Sequence, residues 1–311
     1  EYDYNDDPNT LSVTSLIKPI KEIVLSRRIQ VDPNASPEPV EVIGQVASSM
    51  GTAFHESIER AWLSEKLVET LLLLGTPKKV AARVMINPTP EQLEQGCIPV
   101  YMEQRAEKKV GKYTISGKFD FIMTGRLEDF KSTSTFTYVN RTNDEKFKLQ
   151  GSLYRWLNPD KITNDIMAIQ YIFTDWQAAR AKSDPNYPQM RVLEYLIEMF
   201  SEAQTDRYVK ARLKQMDDLA DVDQEFLPDC TPDELWQKDP VFKYFKNPQG
   251  KRATKNFMSL LEANQLKAKN GGVGIVKTVF GEAKACNYCK AASTCEQRER
   301  LIEVGILCIT A

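Results

Sequence analysis

With 311 residues, 42% of them hydrophobic and 27% charged, the chain has an ordinary globular composition and can bury one large core or two modest ones. Its net charge of −2 means that any nucleic-acid footprint has to be local. The longest apolar run, residues 71–74, falls far short of the ~20 residues a membrane span needs, and the acidic start "EYDYNDDPNT" has no signal-peptide core, so a cytoplasmic location is expected.

Residues 9–28 read as a capped amphipathic segment, and the polar stretch with Pro33, Pro37 and Pro39 as a loop. From Met50 apolar residues recur at helical spacing, with a stop at Gly75. A second helix is expected near 77–85, then a Pro-containing loop over 87–99. Residues 99–104, 111–123 and 126–131 carry the strand signature. Helical spacing returns over 146–157, "DIMAIQYIFTDW" (165–176) reads as a buried strand, and 190–220 as one long charge-laced helix. Trp62, Trp156, Trp176 and Trp236 are expected in the core. The succession of elements predicts an α/β fold with helices packed on a mixed sheet.

The stretch "SGKFDFIMTGRLEDFKSTST" (116–135) carries its charges in unexpected places. Asp120 interrupts one strand, while Asp129 and Lys131 share a face of the next, because side chains alternate along a strand. Clustered carboxylates repel and are expensive to bury unless a cation compensates them, and hard oxygen donors suit Mg²⁺ or Mn²⁺. Asp120 and Asp129 can hold such an ion, with Glu103 from the preceding strand completing the shell. Lys131 can orient or deprotonate a water, or neutralise charge on a phosphate. Taken alone, D-x-K occurs by chance in many proteins and is better read as a half-exposed sheet face with an Asp–Lys pair. His55, the only histidine, and the pair Gln150 and Tyr154, four apart on one helix face, are likewise ordinary in isolation.

In this order, however, the pieces resemble the RecB-like branch of the PD-(D/E)XK nuclease superfamily. The family pattern runs through G-x-x-x-H (Gly51/His55), an acid (Glu103), G-x-x-D (Gly117/Asp120), D/E-x-K-[ST] (Asp129-Phe130-Lys131-Ser132) and Q-x-x-x-Y (Gln150/Tyr154). "FTDW", "NYP" and "CTPDELW" look like bacteriophage-encoded members. The resemblance implies a restriction-endonuclease-like core, a mixed central sheet flanked by helices. It also implies roles: His55, Asp120, Asp129 and the Phe130 carbonyl as metal ligands, and Glu103 in the outer shell or on a second ion. Lys131 would position the attacking water, with Gln150 and Tyr154 orienting Lys131 and the DNA. Glu107 lies close to Glu103, and one sequence leaves the register between them open. The expected organisation is an N-terminal helix and loop over 1–45, a nuclease core over 46–225, and a basic, cysteine-bearing region over 226–311.

Cys286, Cys289 and Cys295 have the spacing C-x₂-C-x₅-C, a strong metal signal, and six cysteines in all are too few for a disulfide scaffold. Cys97, Cys230 and Cys308 are the candidates for a fourth ligand. Iron–sulfur nucleases of the RecB-like group, including the CRISPR-associated ones, usually take their first cysteine from before the histidine helix, where this chain has none. Cys230 is the choice here because "DCTPDELW" resembles the matching phage segment. The resemblance favours a 4Fe–4S cluster, Zn²⁺ is the alternative, and the spacing does not choose.

Residues 241–270 carry seven Lys/Arg against one acid, with Tyr244, Phe245 and Phe257 interleaved. Such a stretch is either a DNA grip, with Lys251, Arg252 and Lys255 on phosphates and rings on bases, or a solvated loop. The function these readings imply is a Mg²⁺- or Mn²⁺-dependent DNA exonuclease in phage or bacterial recombination, repair or degradation. Expected partners are DNA with free ends or single-stranded, a recombination or replication protein, and further copies of the chain. The alternatives are a non-catalytic nucleic-acid-binding or assembly module on the same fold, and a zinc-ribbon interaction protein.

Overall fold

The computed structural model describes residues 7–29 and 42–308, with the side chains of the second stretch from residue 45 onward. The expected proline loop around Pro33, Pro37 and Pro39 lies outside the described residues. Two compact units divide the chain: one takes residues 7–17 and 42–213, the other 18–29 and 214–308.

β1 (Thr10–Ser12) runs into the single turn α1 (Val13–Leu16), whose first amides are satisfied when Ser12 Oγ accepts from Ser15 N at 3.0 Å. Pro19 then caps α2 (Ile20–Arg28), where the amide hydrogen it lacks is not needed. Where helical spacing predicts one helix from Met50 to Gly75, the chain makes two, α3 (Val42–Trp62) and α4 (Leu67–Leu73). Ser64 separates them: its Oγ accepts from Lys66 N at 3.2 Å, a local bond that competes with the helical ladder. The expected stop holds, with Gly75 in the left-handed region at φ +90°. The helix expected over 77–85 shortens to α5 (Lys78–Ala81), because Val84 and Ile86 join a sheet as β2 (Val84–Ile86). α6 (Pro90–Glu94) follows, opened by a Thr89/Gln92 capping box.

The central strands are β3 (Ile98–Met102), β4 (Arg105–Val110), β5 (Tyr113–Lys118), β6 (Phe121–Met123) and β7 (Arg126–Thr133). After α7 (Thr135–Asn140) and α8 (Asp144–Leu157) come β8 (Ile166–Phe173), α9 (Ala178–Ser183) and β9 (Val192–Glu198). Six strands form a mixed sheet in the order β2-β3-β6-β7-β8-β9, with β7 and β8 parallel at its centre. A smaller sheet has the order β1-β5-β4. The fold class is therefore the expected one, a mixed α/β sheet flanked by helices. The unit's core is built from Leu127, Ala168, Ile169 and Tyr171 of the sheet and Leu153 and Trp156 of α8, all fully buried. Close packing of α8 requires Gly151: a Cβ there would stand 2.1 Å from Met167 Sδ.

The helix expected over 190–220 is instead β9 followed by α10 (Glu202–Asp218). Glu194 and Glu198 fall on the exposed face of β9 while Tyr195 and Ile197 face inward, so a period of two is hidden behind the charges. Ser201 and Gln204 form reciprocal bonds at the start of α10, a capping box that marks the true boundary.

In the second unit β10 (Val241–Phe245), β11 (Lys255–Phe257) and β12 (Ile275–Val279) form an antiparallel sheet in the order β11-β10-β12, with α11 (Leu260–Lys269) packed on it. α12 (Glu296–Glu303) completes the unit, and Leu235, Ala283, Cys286 and Leu307 form a small core. Among the described residues no helix is long and apolar enough to cross a membrane.

Candidate functional site

Two chain crossings place the acids. β3 belongs to the six-stranded sheet and β4 to the smaller one; β5 stays in the smaller sheet and β6 re-enters the larger. Glu103 and Asp120 occupy the two crossing points side by side, and Glu103 N donates to the Asp120 carbonyl at 3.1 Å. Glu103 has φ +52°, a conformation that costs a side-chain-bearing residue ~1 kcal/mol, and it is paired with Lys118. Glu107 stands opposite Ser116 in the smaller sheet and is exposed.

The neighbouring elements converge on this point. Phe130 N, in β7, donates to Asp120 Oδ2 at 3.2 Å. His55, on α3, lies with Nε2 3.1 Å from the Phe130 carbonyl and Nδ1 3.6 Å from Asp120 Oδ2. One ligand atom from each of His55, Glu103 and Asp120 lies within 4.8 Å of the other two. The helix and the two crossings thus bring together three residues, with Glu103 48 positions after His55 and 17 before Asp120, and both His55 and Asp120 are anchored to the backbone of β7 at Phe130.

Asp129, only 3% exposed, and half-buried Lys131 share a face of β7. Lys131 Nζ stands 2.6 Å from Asp129 Oδ2, off the hydrogen-bonding direction, leaving that buried oxygen a charge partner but no aligned donor. Burial, and then the Asp129 carboxylate, push the Asp120 carboxyl up to about 7. Lys131, His55 and the Phe130 amide pull it down without offsetting those terms. The site is short of positive charge. The Glu103 and Asp120 carboxylates and the His55 imidazole are a donor set that fits a divalent metal ion, with the Asp129 oxygen that lacks an aligned donor on the neighbouring strand.

On α8 the expected pair meets: Gln150 Nε2 donates to Tyr154 Oη at 3.2 Å in a buried setting. Gly117 makes room for it, since a Cβ there would stand 3.1 Å from Tyr154 Cε1 and 2.8 Å from Leu157 Cδ1. Lys131 Nζ lies 5.6 Å from the ring centre of Phe147, one turn before Gln150. The opposite face of β7 holds an acid that sequence reasoning missed. Glu128, 5% exposed, is held by Arg126 Nε at 2.6 Å and Gln170 Nε2 at 2.8 Å. The alternation Arg126-x-Glu128 was its visible signal. An apolar recess of about 390 Å³ opens beside it, lined by Ile58, Trp62, Phe121, Met123 and Phe130 among others.

In the second unit Cys230, Cys286, Cys289 and Cys295 line one recess, together with Pro19, Leu25, Leu235 and Ala291. Cys97 and Cys308 do not line it, and all six cysteines are free thiols. Burial, followed by Glu234 and the other three sulfurs, pushes the Cys230 thiol up to about 12. Burial also raises Cys286, and takes Cys289 to about 11. Four sulfurs gathered in one recess are a set that a thiophilic metal would hold as thiolates.

Cys230 is positioned by a residue the sequence did not flag. Gln297, 7% exposed, accepts from Cys230 N at 2.8 Å and donates to Cys230 O at 2.9 Å, as a neighbouring strand would. The preceding Asp229 is gripped by buried Lys21 at 2.6 Å and by Arg300 at 2.7 and 2.8 Å. Partners that orient a ligand typically contribute ten- to a hundred-fold in metal affinity. If the recess holds a metal, Gln297→Ala is expected to speed its loss to a chelator by about that factor. Release at the wild-type rate would show that Cys230 needs no such clamp.

Lys251 and Arg252 are exposed between β10 and β11, and Lys255 opens β11. Strands flank this exposed loop and a helix follows them, and the aromatics of the segment differ from the expectation. Tyr244 is fully buried and donates to the Val273 carbonyl at 2.9 Å. Phe245 and Phe257 are half-buried, with Lys277 5.4 Å and Lys255 5.1 Å from their ring centres. Of the expected core tryptophans, Trp156 is fully buried and Trp62 and Trp176 are half-buried. Trp236 is not in the core: it is 56% exposed with φ +53°, because Leu235 takes the inward place.

No protein-family model and no curated protein matches the chain. Solved structures that are similar to it include that of SSO0001, with 15% identity and a TM-score of 0.38, covering 68% of this chain and 78% of that one. Another is a phage related exonuclease from Haemophilus somnus 129PT, with 13% identity and a TM-score of 0.29, covering 68% of this chain and 94% of that one.

Proposed function

We propose that the protein is a metal-dependent deoxyribonuclease, an exonuclease that hydrolyses phosphodiester bonds with Mg²⁺ or Mn²⁺. The observation that carries this reading is the convergence of His55, Glu103 and Asp120 within 4.8 Å, against the strand that bears Asp129 and Lys131. Asp120, Asp129, His55 and the Phe130 carbonyl would hold the ion, and Glu103 would act from the outer shell. When bound, the ion lowers the pKa of water and offsets negative charge on the phosphate. Lys131 is the proton-bearing group of the site. Its ammonium, tethered at Asp129, orients the water and donates to a phosphate oxygen as charge builds there. Gln150 and Tyr154 line the approach on α8 and set the orientation of Lys131 and of the DNA strand. A 4Fe–4S cluster at the four cysteines of the second unit is the companion proposal, with Zn²⁺ as the alternative occupant.

The test uses end-labelled linear DNA and closed circular DNA with Mg²⁺ or Mn²⁺ added. Label released from the linear substrate only, and abolished by a chelator, is the expected result. Tight DNA binding without metal-dependent release would mean that the fold serves as a binding module.

DNA affinity is expected to fall steeply with salt, since each phosphate contact displaces condensed counterions. The double variant Lys251→Ala/Arg252→Ala should flatten the log–log slope by roughly one to two units. An unchanged slope would remove these residues from the DNA path.

A further inference from the structure

Among the described residues of the second unit, Phe226, Trp236, Phe280 and Tyr288 leave large aromatic side chains in solvent, and two of them lie against each other. Trp236 is 56% exposed and Tyr288 72% exposed, with ring centres 5.7 Å apart and planes inclined by 38°. Neither can turn inward. Leu235 already fills the core beside Cys286, and its carbonyl accepts from Ala285 N at 3.1 Å, joining the two segments that carry the rings. Tyr288 sits between Cys286 and Cys289, whose sulfurs face the cysteine recess, so its own ring is directed away from it.

The surroundings select one kind of occupant. From Lys238 to Lys290 the chain carries eleven Lys/Arg against three Asp/Glu, in a protein whose total charge is −2. Exposed rings at the two ends of a strongly cationic segment suit an anionic polymer that also offers flat π-faces. In a duplex those faces are covered by neighbouring bases; in a single strand they are free.

We infer that Trp236 and Tyr288 form a base-stacking platform for single-stranded nucleic acid, with the basic segment 238–290 holding its phosphates. The inference rests on the nucleic-acid reading above and adds the substrate form. The platform also shares its backbone with the cysteine recess, so occupancy of that recess holds the two rings in register.

The experiment titrates the full chain with oligothymidylate, with a duplex and with heparin, without added divalent metal so that no hydrolysis occurs. Trp236 is the most exposed of the four tryptophans, so the single strand should quench intrinsic fluorescence. Trp236→Phe should abolish most of that quenching while keeping the affinity, which is read by anisotropy of labelled oligothymidylate. Trp236→Ala and Tyr288→Ala should each weaken oligothymidylate binding roughly five- to a hundred-fold, the range for losing one base–ring stack. Binding of duplex and heparin should stay unchanged. Wild-type affinity in both alanine variants overturns the platform, as does equal weakening for all three ligands, which would report a damaged fold or charge alone. Preference of the platform for an apolar peptide over oligothymidylate also overturns it. Absence of metal-dependent hydrolysis in the wild type would sink only the nuclease reading and leave the binding result standing.

Discussion

Asp120→Ala, Asp129→Ala and Lys131→Ala are each expected to lower the rate of metal-dependent DNA hydrolysis by about a thousand-fold or more, with the fold intact. The three act as one unit: Asp120 and Asp129 share the charge deficit, and Lys131 is tethered at Asp129. Losses within such a unit are far from additive, so a double variant should be little worse than either single one. Single-turnover rates on end-labelled DNA decide it, and turnover near the wild-type rate in any of the three would remove that residue from the site.

A companion measurement follows from the raised Asp120 carboxyl. Its folded value of about 7 lies above the ordinary carboxyl value of 3.8, so the folded state binds more protons between those limits. Stability of the metal-free protein should therefore fall as pH rises from about 4 to about 7 and then level off. Asp120→Asn removes the charge and should raise the melting temperature of metal-free protein above pH 7, with little effect near pH 4. Addition of Mg²⁺ should stabilise the wild type and not the variant. A variant that melts below the wild type at high pH would show that the Asp120 carboxylate is not under repulsion.

The second large effect concerns the cysteines. On the proposal that the recess holds a metal, Cys230→Ser, Cys286→Ser, Cys289→Ser and Cys295→Ser are each expected to lose that metal and lower the melting temperature by about 10 °C or more, since the binding free energy of a structural metal is also folding free energy. The ligands span a loop of more than fifty residues between Cys230 and Cys286, whose closure removes conformational entropy from the unfolded chain. Activity should fall only as the fold weakens. Metal analysis and visible absorption read the outcome: a brown preparation that bleaches on oxidation indicates iron–sulfur, and a colourless, zinc-bearing one indicates Zn²⁺. Cys97→Ser and Cys308→Ser should leave metal content and melting unchanged, since neither sulfur lines the recess. If Cys230→Ser keeps its metal while Cys97→Ser or Cys308→Ser loses it, the fourth ligand is misassigned. If none of the six variants loses metal, the recess is not a metal site.

The sequence by itself determined the residue types of the site and their order along the chain. Alternation put Asp129 and Lys131 on one face of a strand, helical spacing put Gln150 next to Tyr154, and the tight C-x₂-C-x₅-C run announced a thiol site. These are short-range relations, set by the periods of the strand and the helix. Element boundaries were less legible where local signals compete. Ser64 splits a continuous apolar pattern into α3 and α4, and exposed glutamates disguise β9 as part of a helix. Only the tertiary structure places Glu103, and not Glu107, beside His55 and Asp120, because that placement depends on where the chain changes sheets. It crosses at Glu103 and again at Asp120, and the two crossings hydrogen-bond to each other. Tertiary packing likewise supplied Gln297 as the clamp on Cys230, 67 positions away, and left Trp236 in solvent because Leu235 had filled the core. A hydrogen bond between distant segments and competition for one buried volume have no period in the sequence; they exist only once the chain has closed on itself.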